Sequence, residues 1–309
     1  MLQIGIDLGG TKTEGIVMTP HGSTIARRRV PTPGHLGYDA VITTIKELVV
    51  ELESEAGQRC SIGLCTPGSL SSSTGRLKNS NTLCLNGRDI KADLETTLER
   101  PVLIENDANC FALSEAVDGA ASDCGVVFGV IMGTGVGGGL VFNKRLHPGR
   151  QHIAGEWGHN ILEPGGPPCY CGRRGCVEVF LSGPGLLRDW AGDRTRPGSV
   201  NELLARAGAG EREAEWVMER FFERFGVALA AVINILDPDA VVLGGGLSNI
   251  DGLYGRGIEA VQSHVFNDQC DTRILKNRHG DSSGVRGAAR LWETRKDQRP
   301  TTSTSESRR

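Results

Sequence analysis

Short hydrophobic runs alternate with amphipathic stretches along most of the chain. Residues 3–8 (QIGIDL) and 14–19 (EGIVMT) predict two strands joined by the turn GGTKT. Val41, Ile45, Leu48, Val49 and Leu52 recur at helical spacing, which predicts an amphipathic helix over 38–56. CSIGLCTPG reads as a buried strand ending in a Pro-Gly turn. Residues 89–99 suggest a helix, PVLIEND a strand, and ANCFALSEAVDG a helix stopped at Gly119. Strands and helices in alternation imply an α/β fold around a central sheet.

The opening pattern recurs. Residues 126–142 (VVFGVIMGTGVGGGLVF) are again strand, Gly-Thr turn, strand. The recurrence predicts two related halves: an N-terminal α/β domain over 1–118 and a C-terminal one over 119–283. Helices are expected near 183–192, 200–207 and 212–236, and a strand in AVVLGGGLSN (240–249) runs into a triple glycine. GVRGAARLWE (284–293) reads as a final helix that packs back on the first domain. Residues 294–309 carry no apolar pattern and are expected to be a disordered tail.

Composition narrows the classes of partner. The chain has 309 residues, enough for two cores, and a formal net charge of −3. That charge argues against general electrostatic attachment to nucleic acid or to an anionic membrane surface. The N-terminus enters a strand directly, without a basic and then apolar leader, and no stretch is long enough to span a bilayer. The expectation is a cytoplasmic protein. Six of the nine cysteines (Cys60, Cys65, Cys84, Cys110, Cys124, Cys270) have no framework spacing and are expected to be free thiols.

The glycine-rich turns carry the first candidate chemistry. Neither a P-loop nor a dinucleotide fingerprint is present. Gly9, Gly10, Thr11 and Lys12 form one turn between strands, and Gly133, Thr134 and Gly135 form another. In such turns backbone N–H groups converge on an anion and a Thr hydroxyl adds a donor. One turn alone reads as a tight hairpin. Two, followed by a third glycine run at Gly244, Gly245 and Gly246, read as a polyphosphate grip with room for a base or ribose. Asp7, beside the first turn, would repel phosphates unless Mg²⁺ stood between them.

Asp107 in ENDAN lies where a strand gives way to a helix. Asn-Asp there is a good helix cap. It also suits a carboxylate that orients a hydroxyl attacking a phosphoryl group and accepts its proton. Glu156, His159 and Glu178 add polar groups to a glycine-rich neighbourhood, which fits a polyol.

Residues 169–176 read CYCGRRGC. Cys169 and Cys171 are too close in sequence to bridge without strain, and no CxxC redox motif is present. Three clustered thiols favour Zn²⁺ and need a fourth ligand. His159 is the nearest histidine to suggest itself, with His152 as its rival.

Taken together, IGIDLGGTKTEGIV, ENDANCFALSEA, GTGVGGG, GEWGHN, CYCGRRGCVE and DPDAVVLGGGLSN resemble the ROK family of sugar kinases over about residues 3–293. SEAVDGAA and HGDSSGVRGAARLW look most like its bacterial fructokinases (manno/fructokinases), while N-acetylglucosamine kinases share most of the motifs. The resemblance implies a duplicated actin-like, RNase H-like fold with ATP in the interdomain cleft. It implies phosphorylation of a hexose hydroxyl, commonly by a homodimer. It assigns Asp107 as catalytic base. Asn106, Glu156, His159 and Glu178 match sugar contacts, as do Gly68 and Asn81, and His159, Cys169, Cys171 and Cys176 match zinc ligands. The family also contains sugar-sensing regulators with a DNA-binding domain ahead of the first strand. A first strand at Gln3 leaves no room for one, so catalysis is the expectation.

Overall fold

A computed structural model describes residues 1–71, 73–80, 82–192 and 198–295. Asn81 lies outside these residues, as does the expected tail from residue 296 onward. The first hydrophobic runs form β1 (Gln3–Leu8) and β2 (Lys12–Met18), antiparallel with Gln3 opposite Met18. β3 (Thr24–Pro31) continues the sheet and was not expected. Its three successive arginines hide the strand period, and only Ala26 of its residues is buried. Buried Glu14 of β2 bonds Arg27 and Arg29 across the strands, which is what lets this charged strand pair there.

After α1 (Tyr38–Ala56), β4 (Ser61–Thr66) pairs parallel to β1. A small hairpin, β5 (Ser69–Leu70) and β6 (Leu77–Lys78), follows, then α2 (Ile90–Leu98), β7 (Val102–Asn106) and α3 (Asp107–Val117). The first sheet has the order β3-β2-β1-β4-β7.

The second half repeats the plan with β8 (Val126–Met132), β9 (Val136–Phe142) and β10 (Arg145–Leu146). A long excursion holds α4 (Glu178–Leu181), α5 (Gly183–Ala191), α6 (Val200–Gly208) and α7 (Arg212–Leu236). Then come β11 (Ala240–Gly244), α8 (Arg256–His264), β12 (Arg273–Lys276) and α9 (Ser283–Arg295). The order β10-β9-β8-β11-β12 matches the first sheet position for position. The fold is thus the duplicated actin-like one. α8 and β12 escaped the sequence reading because α8 buries only Gly257 and Val261 and β12 only Ile274. The strand expected to run into the triple glycine does so, ending at Gly244, and a 3₁₀ turn follows over Gly246–Asn249.

The halves interlock through two helices. α3, from the first half, lies on the second sheet, and α9, from the chain's end, lies on the first. The approach is close enough to require glycine. A Cβ on Gly63 of β4 would stand 1.8 Å from the Ala288 carbonyl oxygen, and one on Gly287 would stand 1.7 Å from that of Cys110. Buried polar groups lock the crossing. Glu115 accepts from the backbone N–H of Ala120, Arg278 and His279 and from the Ser283 hydroxyl. Asp118 accepts from Arg286 and Arg290 and contacts His279, and these partners hold its carboxyl well below the usual range despite its burial.

Candidate functional site

A cleft of about 1330 Å³ opens where β7 passes into α3 and faces the β8–β9 turn. Asn106 caps α3, its Oδ1 accepting from the Asn109 N–H at 2.7 Å. The cap places Asp107 as the first helical residue, where its Oδ1 accepts from the Ala108 N–H at 2.9 Å. Asn106 and Asp107 both line the cleft, so the cap reading and the site reading are satisfied by one arrangement. Burial raises the Asp107 carboxyl above its ordinary value, and the backbone N–H bonds pull against that rise.

Gly133, Thr134 and Gly135 line the same cleft. The turn is tethered from a distance. Glu178 opens α4, and its Oε2 accepts from the Val136 N–H at 3.0 Å. The Gly183 N–H donates to the Gly133 carbonyl at 2.8 Å. A Cβ on Gly135 would lie 2.7 Å from the Glu178 carboxylate, so the glycine makes room for the tether. Glu156 and His159 bracket a 3₁₀ turn at Trp157–His159, and both reach the cleft, as does Glu178. Burial pushes the Glu156 carboxyl up, His159 and Lys78 oppose, and Asp107 and Glu178 add to the rise. Acidic groups therefore converge on one volume. Gly68 joins them from the first half at φ +87°, the left-handed backbone that glycine tolerates.

Other predicted residues fall elsewhere. The first turn, Gly9–Lys12, is closed on itself and does not line the cleft. The Gly9 N–H donates to the Lys12 carbonyl at 3.0 Å, and the Thr32 hydroxyl to the Gly9 carbonyl at 2.8 Å. Asp7 stands behind this turn. Burial raises its carboxyl to about 6, the Cys65 thiol lowers it, and the Asp107 charge raises it again. A carboxyl raised by burial and by the Asp107 charge gains from a divalent cation beside it, so Asp7 fits Mg²⁺. Gly244, Gly245 and Gly246 do not line the cleft either. A Cβ on Gly244 would strike the Phe111 ring at 2.4 Å, and one on Gly245 the Met132 carbonyl oxygen at 2.4 Å. At Gly244 and Gly245 packing accounts for the glycine; Gly246 has open space around it.

The cysteines gather as their spacing predicts. One ligand atom from each of His159, Cys169, Cys171 and Cys176 lies within 4.8 Å of all the others. Cys169 Sγ is 3.7 Å from His159 Nδ1, and Cys171 Sγ is 3.6 Å from Cys176 Sγ. Ligands of a tetrahedral zinc stand about 3.5–3.8 Å apart, given the usual Zn–S and Zn–N lengths. Burial pushes the Cys169 and Cys176 thiols up, while the Arg173 backbone N–H lowers the exposed Cys171 thiol. The residues fit Zn²⁺. His159, not its rival His152, completes the set. All nine cysteines are free.

Sequence reasoning missed Lys78 and Tyr170, which also line the cleft. Lys78 belongs to a two-residue strand with no periodic signal. Tyr170 was visible as the aromatic residue between two cysteines. The two segments that suggested fructokinase, 114–121 and 279–292, contribute nothing to the cleft lining. They carry Glu115, Asp118, Ser283, Arg286 and Arg290, the groups that lock α3 to α9. They report on that crossing, not on the sugar.

Comparison with known proteins agrees with this geometry. The N-acetyl-D-glucosamine kinase of Shigella flexneri serotype 5b (strain 8401) is 37% identical over 300 residues, covering 94% of this chain and 99% of that protein. The ROK hexokinase of Thermus thermophilus superposes with a TM-score of 0.86 at 35% identity, covering 94% of this chain and 97% of the other. A ROK family glucokinase from Streptomyces griseus, solved in complex with glucose and AMPPNP, gives 0.76 at 26% identity over 94% and 99% of the two chains. Among the described residues no helix is long and apolar enough to cross a membrane. The sequence pattern of the ROK family matches residues 3–295, and the chain belongs to that family.

Proposed function

We propose that the protein transfers the γ-phosphoryl group of ATP to a hydroxyl of a hexose. The observation that carries this reading is Asp107, a carboxylate on a helix cap that opens into the cleft, in company with a glycine-rich turn and a cluster of sugar-suited polar groups. The turn at Gly133–Gly135 takes the phosphates; a second grip by its counterpart at Gly9–Lys12, with Asp7 behind it, is supported by the sequence pattern alone. Gly244–Gly246 stay a proposal for the nucleotide's base or ribose, supported by sequence alone. Mg²⁺, when bound, neutralises phosphate charge, and Asp7 is the residue to hold it, directly or through water.

Asn106, Glu156, His159, Glu178 and Gly68 orient the sugar. Asn81 is assigned by resemblance alone. The hydroxyl oxygen attacks the γ-phosphorus, the bond to ADP breaks, and the hydroxyl proton passes to Asp107 Oδ1 or Oδ2. A carboxyl held above its ordinary value makes a better proton acceptor than an unperturbed aspartate. His159, Cys169, Cys171 and Cys176 hold Zn²⁺ as a closed structural site, which fixes the His159 ring toward the sugar.

Among hexoses, the named relatives support N-acetyl-D-glucosamine over fructose. The deciding experiment is a coupled ADP-release assay with N-acetylglucosamine, glucose, mannose and fructose. The expected result is turnover with N-acetylglucosamine at the highest kcat/KM. A clear preference for fructose would restore the fructokinase reading, and no turnover with any hexose would end the kinase reading altogether.

A further inference from the structure

Tyr170 is a cleft residue that the reaction above does not use. It stands between two of the clustered cysteines. The Gly172 N–H donates to the Cys169 carbonyl at 3.0 Å, which makes a tight turn with Tyr170 at its first corner. The Cys169 N–H donates to the Arg173 carbonyl at 2.8 Å, and Arg173 Nη1 donates to the His159 carbonyl at 3.0 Å. The backbone at Tyr170 is therefore held on both sides. Its side chain is not packed into the core; the residue is 76% exposed on the cleft wall.

The phenol oxygen lies 3.1 Å from His159 Nε2, and the two rings meet edge to face with centroids 5.2 Å apart. His159 Nδ1 faces the cysteines instead. With Nδ1 given to a metal, a neutral ring carries its proton on Nε2 and donates to the tyrosine oxygen. The nitrogen that the proposed function turns toward the sugar is thus already occupied.

We propose that Tyr170 is a positioning residue that holds His159 Nε2 in the sugar-free enzyme and is displaced from it by the substrate. The inference rests on the hexose-kinase reading, since it takes His159 to meet a sugar hydroxyl. While the site is empty, the phenol keeps the imidazole aimed into the cleft. When sugar arrives, one hydrogen bond is exchanged for another, so the net gain at His159 is small. The exchange needs only a rotation of an exposed ring, because the turn beneath it is fixed.

Tyr170→Phe keeps the ring contact and removes the competing oxygen. Sugar titrated calorimetrically, without ATP, into zinc-loaded protein should bind two- to tenfold more tightly than to wild type. The kcat should stay within about twofold and zinc content should be unchanged. A merely structural phenol gives the opposite sign, and weaker binding in Tyr170→Phe overturns the inference, as does an unchanged Kd.

A second measurement reads the displacement itself. The chain has three tyrosines. Protein labelled with 3-fluorotyrosine gives three ¹⁹F signals, and the one missing from Tyr170→Phe should move when sugar is added. A signal that does not move overturns the inference while leaving the kinase reading intact. A wild-type protein that binds no hexose overturns both.

Discussion

The turn at Gly9–Lys12 and the turn at Gly133–Gly135 occupy the same place in two sheets of identical strand order, yet they are held differently. The first is stitched by the residue that follows β3, through Thr32 on Gly9 and Thr32 on Thr13 at 2.8 Å each. The second is held from outside the sheet, by Glu178 on Val136 and by Gly183 on Gly133. Glu178 follows two residues after the last cysteine of the cluster. The second turn is therefore coupled to the zinc-suited loop and to the sugar-suited side of the cleft, and the first is not. The turns differ as well: four residues separate the Leu8–Thr13 pair and three the Met132–Val136 pair, and the closing bonds run from Gly9 to Lys12 and from Gly133 to Gly135.

Asp107 shares the cleft with the second turn and not with the first, so it tests the second turn's side of the comparison. Asp107→Asn should lower kcat by about 10²–10⁴-fold, the usual weight of a general base, while calorimetric sugar binding survives. Near-normal turnover in that variant would sink its assignment.

Cys176→Ser probes the second turn's outer tether. Zinc per chain should fall from about one to well below that, and the sugar KM should rise about 10–100-fold as His159 and Glu178 lose their frame. Zinc retained in full, by metal analysis, would count against the cluster.

The first turn is tested through Asp7, whose carboxyl burial raises to about 6. The carboxylate must be ionised to attract Mg²⁺. Affinity for Mg²⁺ in the presence of ATP should therefore fall as pH drops through about 6, approaching tenfold per unit below it. Asp7→Asn should bind Mg²⁺ more weakly and lose that pH dependence; a limb that persists belongs to another group. The sign for stability is the reverse. A folded value above the unfolded one means that the native state holds the proton longer, so Asp7 stabilises least once pH has risen past about 6.

The smallest effect is expected from Thr32→Val. It removes the internal stitch of the first turn at a buried site and should cost about 1 kcal/mol in denaturant unfolding, with sugar binding untouched. A sugar-binding defect in this variant would show that the two turns are coupled after all.

Much of the fold was legible. The helix over 38–56 matched to the residue because its apolar positions repeat cleanly, and the repeated strand–turn–strand pattern foretold two matching sheets. β3 was invisible because arginines occupy both of its faces, and their partners, Glu14 for Arg27 and Arg29 and Glu55 for Arg28, lie on other elements. The site divided the same way. Cys169, Cys171 and Cys176 are near in sequence, and clustered thiols of that spacing suit a soft or borderline metal.

The alternating pattern and its recurrence were enough to fix the duplicated α/β plan, and neighbouring residues were enough for the three clustered thiols and the carboxylate on the α3 cap. Tertiary structure decided the rest. It brought Glu178 to Val136 across 42 residues, selected His159 over His152, and put the Tyr170 oxygen on His159. It also assigned the 114–121 and 279–292 segments to the helix crossing and Gly244 and Gly245 to close packing. A motif shows which groups are available. Which atoms share a cleft depends on distant backbone packing to within a few ångströms, and no local pattern in the sequence carries that distance.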